Sequence, residues 1–111
     1  MPIYGMDPIR KYIYEATLIH VVDGDTVDAW IDLGFNISVR RRIRLWGICA
    51  PEMCMKTVVR LQDLIDQGGG AFILRSIGLD KHGRCLGEIY IQDVNINRQL
   101  LAEGMADVYK G

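Results

Sequence analysis

Long hydrophobic runs are missing from this sequence. Half of its 111 residues are hydrophobic, yet no stretch contains 18 consecutive apolar residues, so no membrane-spanning helix is predicted. The first residues, MPIYGMDPIRKY, also lack the basic and then apolar order of a signal peptide. We therefore expect a cytoplasmic protein with no membrane partner.

Cysteine is scarce as well. The chain contains three cysteines, Cys49, Cys54 and Cys85. An odd number of thiols cannot all pair within one chain, and this count favours a reducing compartment. The cysteine content therefore agrees with a cytoplasmic protein.

An excess of charge of either sign is the third absence. The formal net charge is −1, which argues against a uniformly basic nucleic-acid-binding protein but allows a local basic patch. Four arginines fall within residues 40–44, namely Arg40, Arg41, Arg42 and Arg44. A charge run of this kind also fits a solvated strand face, so the run alone defines no function.

The length fits one compact domain. Residues 1–11 are predicted to form an N-terminal arm and residues 12–111 the domain, with no internal repeat. Residues 12–22 are rich in aromatic and β-branched residues, which is typical of a β-strand. The first half of the domain therefore begins with a strand.

An acidic turn, Asp23-Gly24-Asp25, separates this strand from the next. Residues 26–33 then alternate, with Val27, Ala29, Ile31 and Leu33 on one face. Asp25 has the same parity as these apolar residues. We expect its carboxylate to point inward at the rim of the core, where it needs a partner or a metal.

The third strand carries the arginines. Gly34-Phe35-Asn36 predicts a hairpin turn, after which the chain alternates again. Arg40, Arg42, Arg44 and Trp46 lie on one face of this strand, and its apolar residues lie on the other. Arg44 is the member best placed to reach a site built near Pro51 and Glu52.

The second half of the chain contains the predicted helices. Residues 56–67 have helical spacing of apolar residues and end at Gly68-Gly69-Gly70. Further elements are predicted in the order strand 71–77, turn 78–83, strand 85–91, helix 93–102 and a short last strand in 105–109. This order predicts a mainly β fold with α-helices: a five-stranded OB-type barrel with two packed helices. Such barrels commonly bind nucleic acid or oligosaccharide, although a fold does not fix a function.

Four short motifs occur along the chain in the order VDGDTV (22–27), RLWGICAPE (44–52), DKHGR (80–84) and VNIN (94–97) followed by EGMA (103–106). With them the chain resembles the staphylococcal nuclease (thermonuclease-like) family over roughly residues 12–109. Each motif alone is a weak signal, whereas all of them in order are a strong one. The resemblance implies an OB barrel and a calcium-dependent endonuclease that hydrolyses phosphodiester bonds of DNA and RNA.

The resemblance also implies catalytic and substrate-binding residues. Arg44 and Arg84 match the two arginines that grip the scissile phosphate, and Glu52 matches the glutamate that handles the attacking water. Arg42 and His82 are further candidates for substrate binding. Arginine forks pair well with phosphate oxygens, and a general base must lie within reach of the water.

The implied metal site departs from the family pattern. Asp25 matches the first metal-binding aspartate, and Ala50 matches the position whose backbone carbonyl contacts the metal. Cys49 stands where the family usually has a second metal-binding aspartate. Calcium prefers hard oxygen ligands and a thiol is soft, so metal affinity and activity are expected to fall.

Each of these residues also has a purely structural interpretation. Glu52 is then a solvated loop residue, and Arg44 pairs across the sheet with Asp28 or Asp32. Arg84 is then a turn residue bonded to Asp80. Asp25, in the same view, caps the backbone amides that follow it.

The cysteines allow a different site. Cys49, Cys54, His82 and Cys85 supply four zinc ligands in principle, but their spacing is not a standard zinc pattern. A reactive thiol at Cys49 has nearby positive charge but no identifiable base. Both hypotheses are weaker than the nuclease one.

Two functions from different classes follow. The first is a calcium-dependent nuclease, weakened at Cys49. The second is a catalytically impaired nuclease-like module that binds nucleic acid or a protein partner. Trp30, Trp46 and Phe35 are aromatic candidates for base stacking, although such residues more often cover core edges.

Overall fold

The computed structural model describes residues 12–51 and 54–109. Its elements are β1 Ile13–Asp23, β2 Thr26–Gly34, β3 Ile37–Leu45, β4 Ile48–Cys49, α1 Met55–Asp66, β5 Ala71–Leu79, β6 Cys85–Ile91, β7 Val94–Asn95, α2 Ile96–Ala102 and β8 Asp107–Val108. The predicted N-terminal arm, residues 1–11, lies outside the described residues.

Five strands close into a barrel. They are hydrogen-bonded in the order β3-β2-β1-β5-β6, and an additional pairing joins β3 to β6. That last pairing is parallel and runs from Ile43 opposite Cys85 to Leu45 opposite Gly87. Closure removes the open sheet edges that invite aggregation. The predicted mainly β, five-stranded OB-type barrel with two helices is confirmed.

The core fills the barrel and continues under the helices. Strand alternation brings Val27, Ala29 and Ile31 inward from β2, as predicted, whereas Leu33 is 44% exposed. Helix α1 buries Thr57, Leu61, Leu64 and Ile65. Within the described part of the chain, no helix has the length and hydropathy needed to cross a membrane.

The β2–β3 hairpin has the predicted turn. Phe35 and Asn36 both have positive φ angles, 57° and 63°, as a two-residue type I′ turn requires. This turn carries the right-handed twist of the flanking strands. The register shifts by one residue between Asp32 and Gly34, and beyond this bulge each arginine of β3 lies opposite a defined residue of β2.

The predicted helix over 93–102 is partly wrong at its start. Gln92 and Asp93 have positive φ angles of 51° and 66°, so the chain turns there. Val94 and Asn95 then pair with the end of β6 as strand β7. Helix α2 begins only at Ile96, where the Asn95 side chain accepts a hydrogen bond from the backbone N–H of Arg98 and caps the helix.

An ion pair joins the two helices. Arg60 donates to both carboxylate oxygens of Glu103 at 2.6 and 2.7 Å. Hydrogen bonds from Arg60 and then from Gln99 lower the pKa of Glu103 from 4.5 to about 2. Because the pKa is lower in the folded state, the stabilisation is present at neutral pH and is lost as the pH falls from about 4.5 towards 2.

Asn97 links three parts of the barrel. Its side chain is buried, donates to Trp46 O at 2.9 Å and to Gly87 O at 3.1 Å, and accepts from Ile89 N at 3.2 Å. These partners lie just after β3 and on β6, which are the two strands that close the barrel. The VNIN motif therefore has a structural role at the closure.

We expect Asn97→Ala to destabilise the protein by about 2–3 kcal/mol, because it leaves buried backbone groups without partners. Urea unfolding followed by circular dichroism measures this change. Arg98→Ala is the matched control, since Arg98 is an exposed neighbour on the same helix, and its effect is expected within about 0.5 kcal/mol. Equal midpoints for the two variants would contradict the role of Asn97.

Candidate active site

The rim of the barrel brings together the turn after β1 and the end of β3. Thr26 is paired with Arg44 across β2 and β3, and Leu45 N donates to Asp25 O at 2.8 Å. In this geometry Arg44 Nη2 lies 3.5 Å from Asp25 Oδ2, with side chains 14% and 15% exposed. The carboxylate and the guanidinium therefore share one partly buried position.

Two hydrogen bonds orient the Asp25 carboxylate. Thr26 Oγ1 donates to Oδ1 at 2.9 Å, and the backbone N–H of Ala50 donates to Oδ2 at 3.0 Å. The Asp25 carboxylate thus binds the Thr26 hydroxyl and the chain that follows β4, rather than the backbone amides of its own turn. Its carboxylate is held at the rim by groups from two distant parts of the sequence.

Arg44 is fixed from two sides. Its Nη1 donates to Leu45 O at 2.8 Å, and its guanidinium carbon lies 5.4 Å from the centre of the Tyr109 ring, within range of a cation–π contact. The structural alternative for Arg44, a pair with Asp28 or Asp32, is not formed. Asp28 instead receives two bonds from Arg42.

Arg84 makes the turn contact that its structural interpretation predicts. Its Nε donates to Asp80 Oδ2 at 2.7 Å and its backbone N to Asp80 Oδ1 at 2.9 Å. Burial alone would raise the pKa of Asp80. Hydrogen bonds from Arg84 and from the His82 backbone outweigh this effect, so the pKa of Asp80 is lowered. Asp80 is therefore an ionised anchor that holds the Nε side of Arg84.

A cavity of about 750 Å³ lies beside the rim and is lined by Arg44, whereas Asp25, behind Arg44, is not one of its lining residues. Its walls include Arg44, Arg84 and His82, together with the aromatic residues Trp46 and Tyr109. This volume is in the range of ligand-binding clefts. Arg42 does not line this cavity and lies on the outer face of the sheet.

The acidic turn packs against α1 without space for a side chain. A Cβ atom on Gly24 would lie 2.5 Å from Thr57 Cγ2 and 2.8 Å from Ala50 Cβ. Thr57 is itself buried and its hydroxyl donates to Met105 O at 2.7 Å. The glycine of the DGD turn is therefore required by the close approach of the helix and of Ala50.

The zinc hypothesis is wrong for the described residues, where no three His, Cys, Asp or Glu side chains lie close enough to hold a metal ion. Cys49 is exposed, its Sγ is 3.8 Å from Ala50 O, and burial raises the pKa of the Cys85 thiol. Asp25 offers oriented hard oxygens, which suit calcium better than zinc. Because Asp25 is the one carboxylate among the described residues that match the implied metal ligands, such a cation would be held weakly.

Two of the rim residues were not foreseen from the sequence. The predicted last strand in 105–109 includes Tyr109, but nothing in that pattern puts its ring beside Arg44. The predicted helix over 56–67 includes Thr57, but the contact of Thr57 with Gly24 depends on the packing of α1. Glu52 lies outside the described residues, so its position at the site stays a prediction.

A closed five-stranded barrel with two helices, and a rim that gathers two arginines and an aspartate, define an OB-type barrel of the nuclease-like class. The family model described as staphylococcal nuclease homologue matches residues 42–111, and the chain belongs to this family. The matched region includes Arg44, Cys49 and Glu52 but begins after Asp25. No match was found among the curated proteins.

We expect Gly24→Ala to destabilise the protein by about 1–3 kcal/mol, because the new methyl group overpacks the contact with Thr57 and Ala50. Thr57→Ser in the Gly24→Ala background removes Cγ2 and keeps the hydroxyl, so part of the loss should be recovered. Thermal unfolding of the single and double variants measures both effects. Wild-type stability of Gly24→Ala would show that the turn has room.

Proposed function

We propose that this protein is a calcium-dependent endonuclease that hydrolyses phosphodiester bonds of DNA or RNA. The observation that supports it best is the convergence of Arg44 and Arg84 on one cavity beside the Asp25 carboxylate. These residues come from the end of β3, the turn before β6 and the turn after β1. Domains of this family commonly bind nucleic acids.

The two arginines would bind the scissile phosphate. Each guanidinium can donate two parallel hydrogen bonds to phosphate oxygens. Arg44 is backed by the Leu45 carbonyl and Tyr109, and Arg84 is backed by Asp80. Since both are positioned before substrate arrives, they can stabilise the charge that develops on phosphorus-bound oxygens at little reorganisation cost.

Glu52 is the proposed general base. It would accept the proton of a water molecule aligned with the phosphorus atom. This assignment rests on the family motif, in which Glu52 follows Ala50 and Pro51. His82, at the wall of the same cavity, is proposed to contact the substrate.

Calcium is the proposed cofactor, with the Asp25 carboxylate and the Ala50 carbonyl as its protein ligands. Such a cation would neutralise charge on the phosphate and lower the pKa of a bound water. Cys49 supplies no hard oxygen at the position of the second family aspartate. We therefore propose weak calcium binding. The cytoplasm remains the proposed location, based on the odd number of free cysteines.

The second candidate is a catalytically impaired module that binds nucleic acid or a protein partner. The specific observation in its favour is Cys49, whose exposed thiol replaces a carboxylate. In that case the cavity and its arginines would bind phosphate without promoting hydrolysis.

We expect the purified protein to cut single-stranded DNA when calcium is added and to stop when calcium is chelated. Glu52→Gln is expected to reduce the cleavage rate by about 10²–10⁴-fold, and Arg44→Ala by about 10²–10³-fold. Product formation on gels measures these rates, with Arg41→Ala as the matched arginine control. DNA binding without cleavage would reject the nuclease and support the nucleic-acid-binding module. Absence of both binding and cleavage would point to a protein partner.

We expect Cys49→Asp to raise calcium affinity and calcium-dependent cleavage by about tenfold or more, because it adds a hard carboxylate ligand. Cys49→Ser is the matched control, since it removes the thiol without adding a charge. Calcium titrations of the cleavage rate compare the three proteins. Equal calcium dependence in all three would mean that position 49 does not limit the metal site.

A further inference from the structure

A row of arginines leaves the cavity along the outer face of the barrel. Across β2 and β3, Thr26 is paired with Arg44, Asp28 with Arg42, and Trp30 with Arg40. Successive side chains of a strand alternate between faces, so these pairs all project from the same face. Arg44, Arg42 and Arg40 therefore follow one another from the cavity outward.

A buried carboxylate organises this face. The Asp28 side chain is 7% exposed and receives two bonds from Arg42, at 2.8 and 3.1 Å. His20 Nε2 lies 3.3 Å away, and Arg40 Nη2 lies 3.9 Å away. One carboxylate thus faces two guanidinium groups as well as an imidazole, so among Asp28, Arg40 and Arg42 the guanidinium charges exceed the carboxylate charge by one.

The hydrogen-bond donors of these three side chains remain accessible. His20, Arg40 and Arg42 are 52%, 57% and 51% exposed. Hydrogen bonding by Arg42 keeps the pKa of Asp28 below its usual range, so this anchor stays ionised at neutral pH. The hydrogen-bond donors of these side chains therefore face solvent, while the buried Asp28 carboxylate fixes their positions.

An exposed indole lies in the same row. Trp30 is 49% exposed and is the cross-strand partner of Arg40. An aromatic surface beside a guanidinium offers a stacking partner for a base and a donor for a phosphate. The face formed by the second and third strands is also the one that OB barrels use for oligonucleotides.

The chemistry of the face sets its limits. The next row pairs Asp32 with Ser38, and Glu15 is exposed on β1, so the surface becomes acidic beyond Trp30. Asp23 lies near the other end of the row. The pKa of Arg42 is raised chiefly by Asp28 and to a smaller extent by Asp23. From Arg44 to Arg40 the strand advances about 13 Å, which is enough for about two nucleotides of an extended chain.

We propose that this outer face, consisting of His20, Trp30, Arg40 and Arg42 around Asp28 and called here the outer track, binds single-stranded nucleic acid that extends beyond the cavity. Phosphates contact Arg42 and Arg40, and a base stacks on Trp30. The inference rests on the proposed function, because the nucleic-acid strand reaches the outer track from the cavity at Arg44. Binding to the outer track itself requires no cleavage.

The test compares long and short ligands without catalysis. Fluorescence anisotropy in the presence of EDTA measures the Kd of fluorescein-labelled (dT)₈ and (dT)₂. Arg40→Ala and Trp30→Ala are each expected to raise the Kd for (dT)₈ about tenfold, and the wild type is expected to bind (dT)₂, which cannot span the cavity and the track together, at least about tenfold more weakly than (dT)₈. Arg41→Ala is the matched control, because Arg41 is an exposed arginine of the same strand with the opposite parity.

Salt dependence supplies a second measurement. Loss of one phosphate contact should reduce the slope of log Kd against log salt by about 0.7 for a single strand. Arg40→Ala should show this reduction, and Arg40→Lys, which keeps the charge, should not. Thermal unfolding of each variant checks that the substitutions at these half-exposed positions do not unfold the barrel.

Three outcomes would overturn the track. They are equal Kd values for Arg40→Ala and Arg41→Ala, equal Kd values of the wild type for (dT)₂ and (dT)₈, and no binding of (dT)₈ by the wild type. The proposed function fails separately: length-dependent binding that needs Arg40, without calcium-dependent cleavage, would keep the track and reject the nuclease. Cleavage with no Arg40 effect would keep the nuclease and reject the track.

Discussion

The parallel pairing of β3 with β6 determines where the chemistry of this protein can lie. It places Ile43 opposite Cys85, and so brings the end of β3, with Arg44, beside the turn that carries Arg84. Asn97 bonds both sides of this closure, at Trp46 O and Gly87 O. Parallel pairs need long crossover connections, and here α1 and the β5 strand supply them. The cavity at the rim is a consequence of closing the barrel.

Much of this arrangement could be predicted because it depends on local pattern. Alternation in β2 predicts the correct inner face at Val27, Ala29 and Ile31, and the turn residues predict the hairpin. Contacts that depend on the whole barrel could not be predicted in this way. Asp28 has the parity of an outward residue, yet it is 5% exposed because the long side chains of β1 and β3 cover it. Tyr109 reaches Arg44 only through the pairing of β4 with β8.

The site residues divide along the same line. The motifs predicted that Asp25, Arg44 and Arg84 belong together, and the closed barrel explains how the first two meet at 3.5 Å. Their anchors were only partly predicted. A bond to Asp80 is the structural alternative to a functional role for Arg84, but an Nε bond from Arg84 to Asp80 and phosphate binding by the same guanidinium are compatible. A structural contact of a functional arginine is often what positions it.

The same principle explains how a chain of net charge −1 can carry cationic surfaces. Three arginines each form an ion pair with a carboxylate that anchors them: Arg44 with Asp25, Arg42 with Asp28 and Arg84 with Asp80. Each anchoring carboxylate cancels one positive charge in the net charge of the chain. It also restricts the rotamers of a long arginine side chain, so less side-chain entropy is lost when that arginine binds a ligand. Overall charge therefore understates the affinity that fixed guanidinium groups can give, and the position of each carboxylate matters more than the number of basic residues.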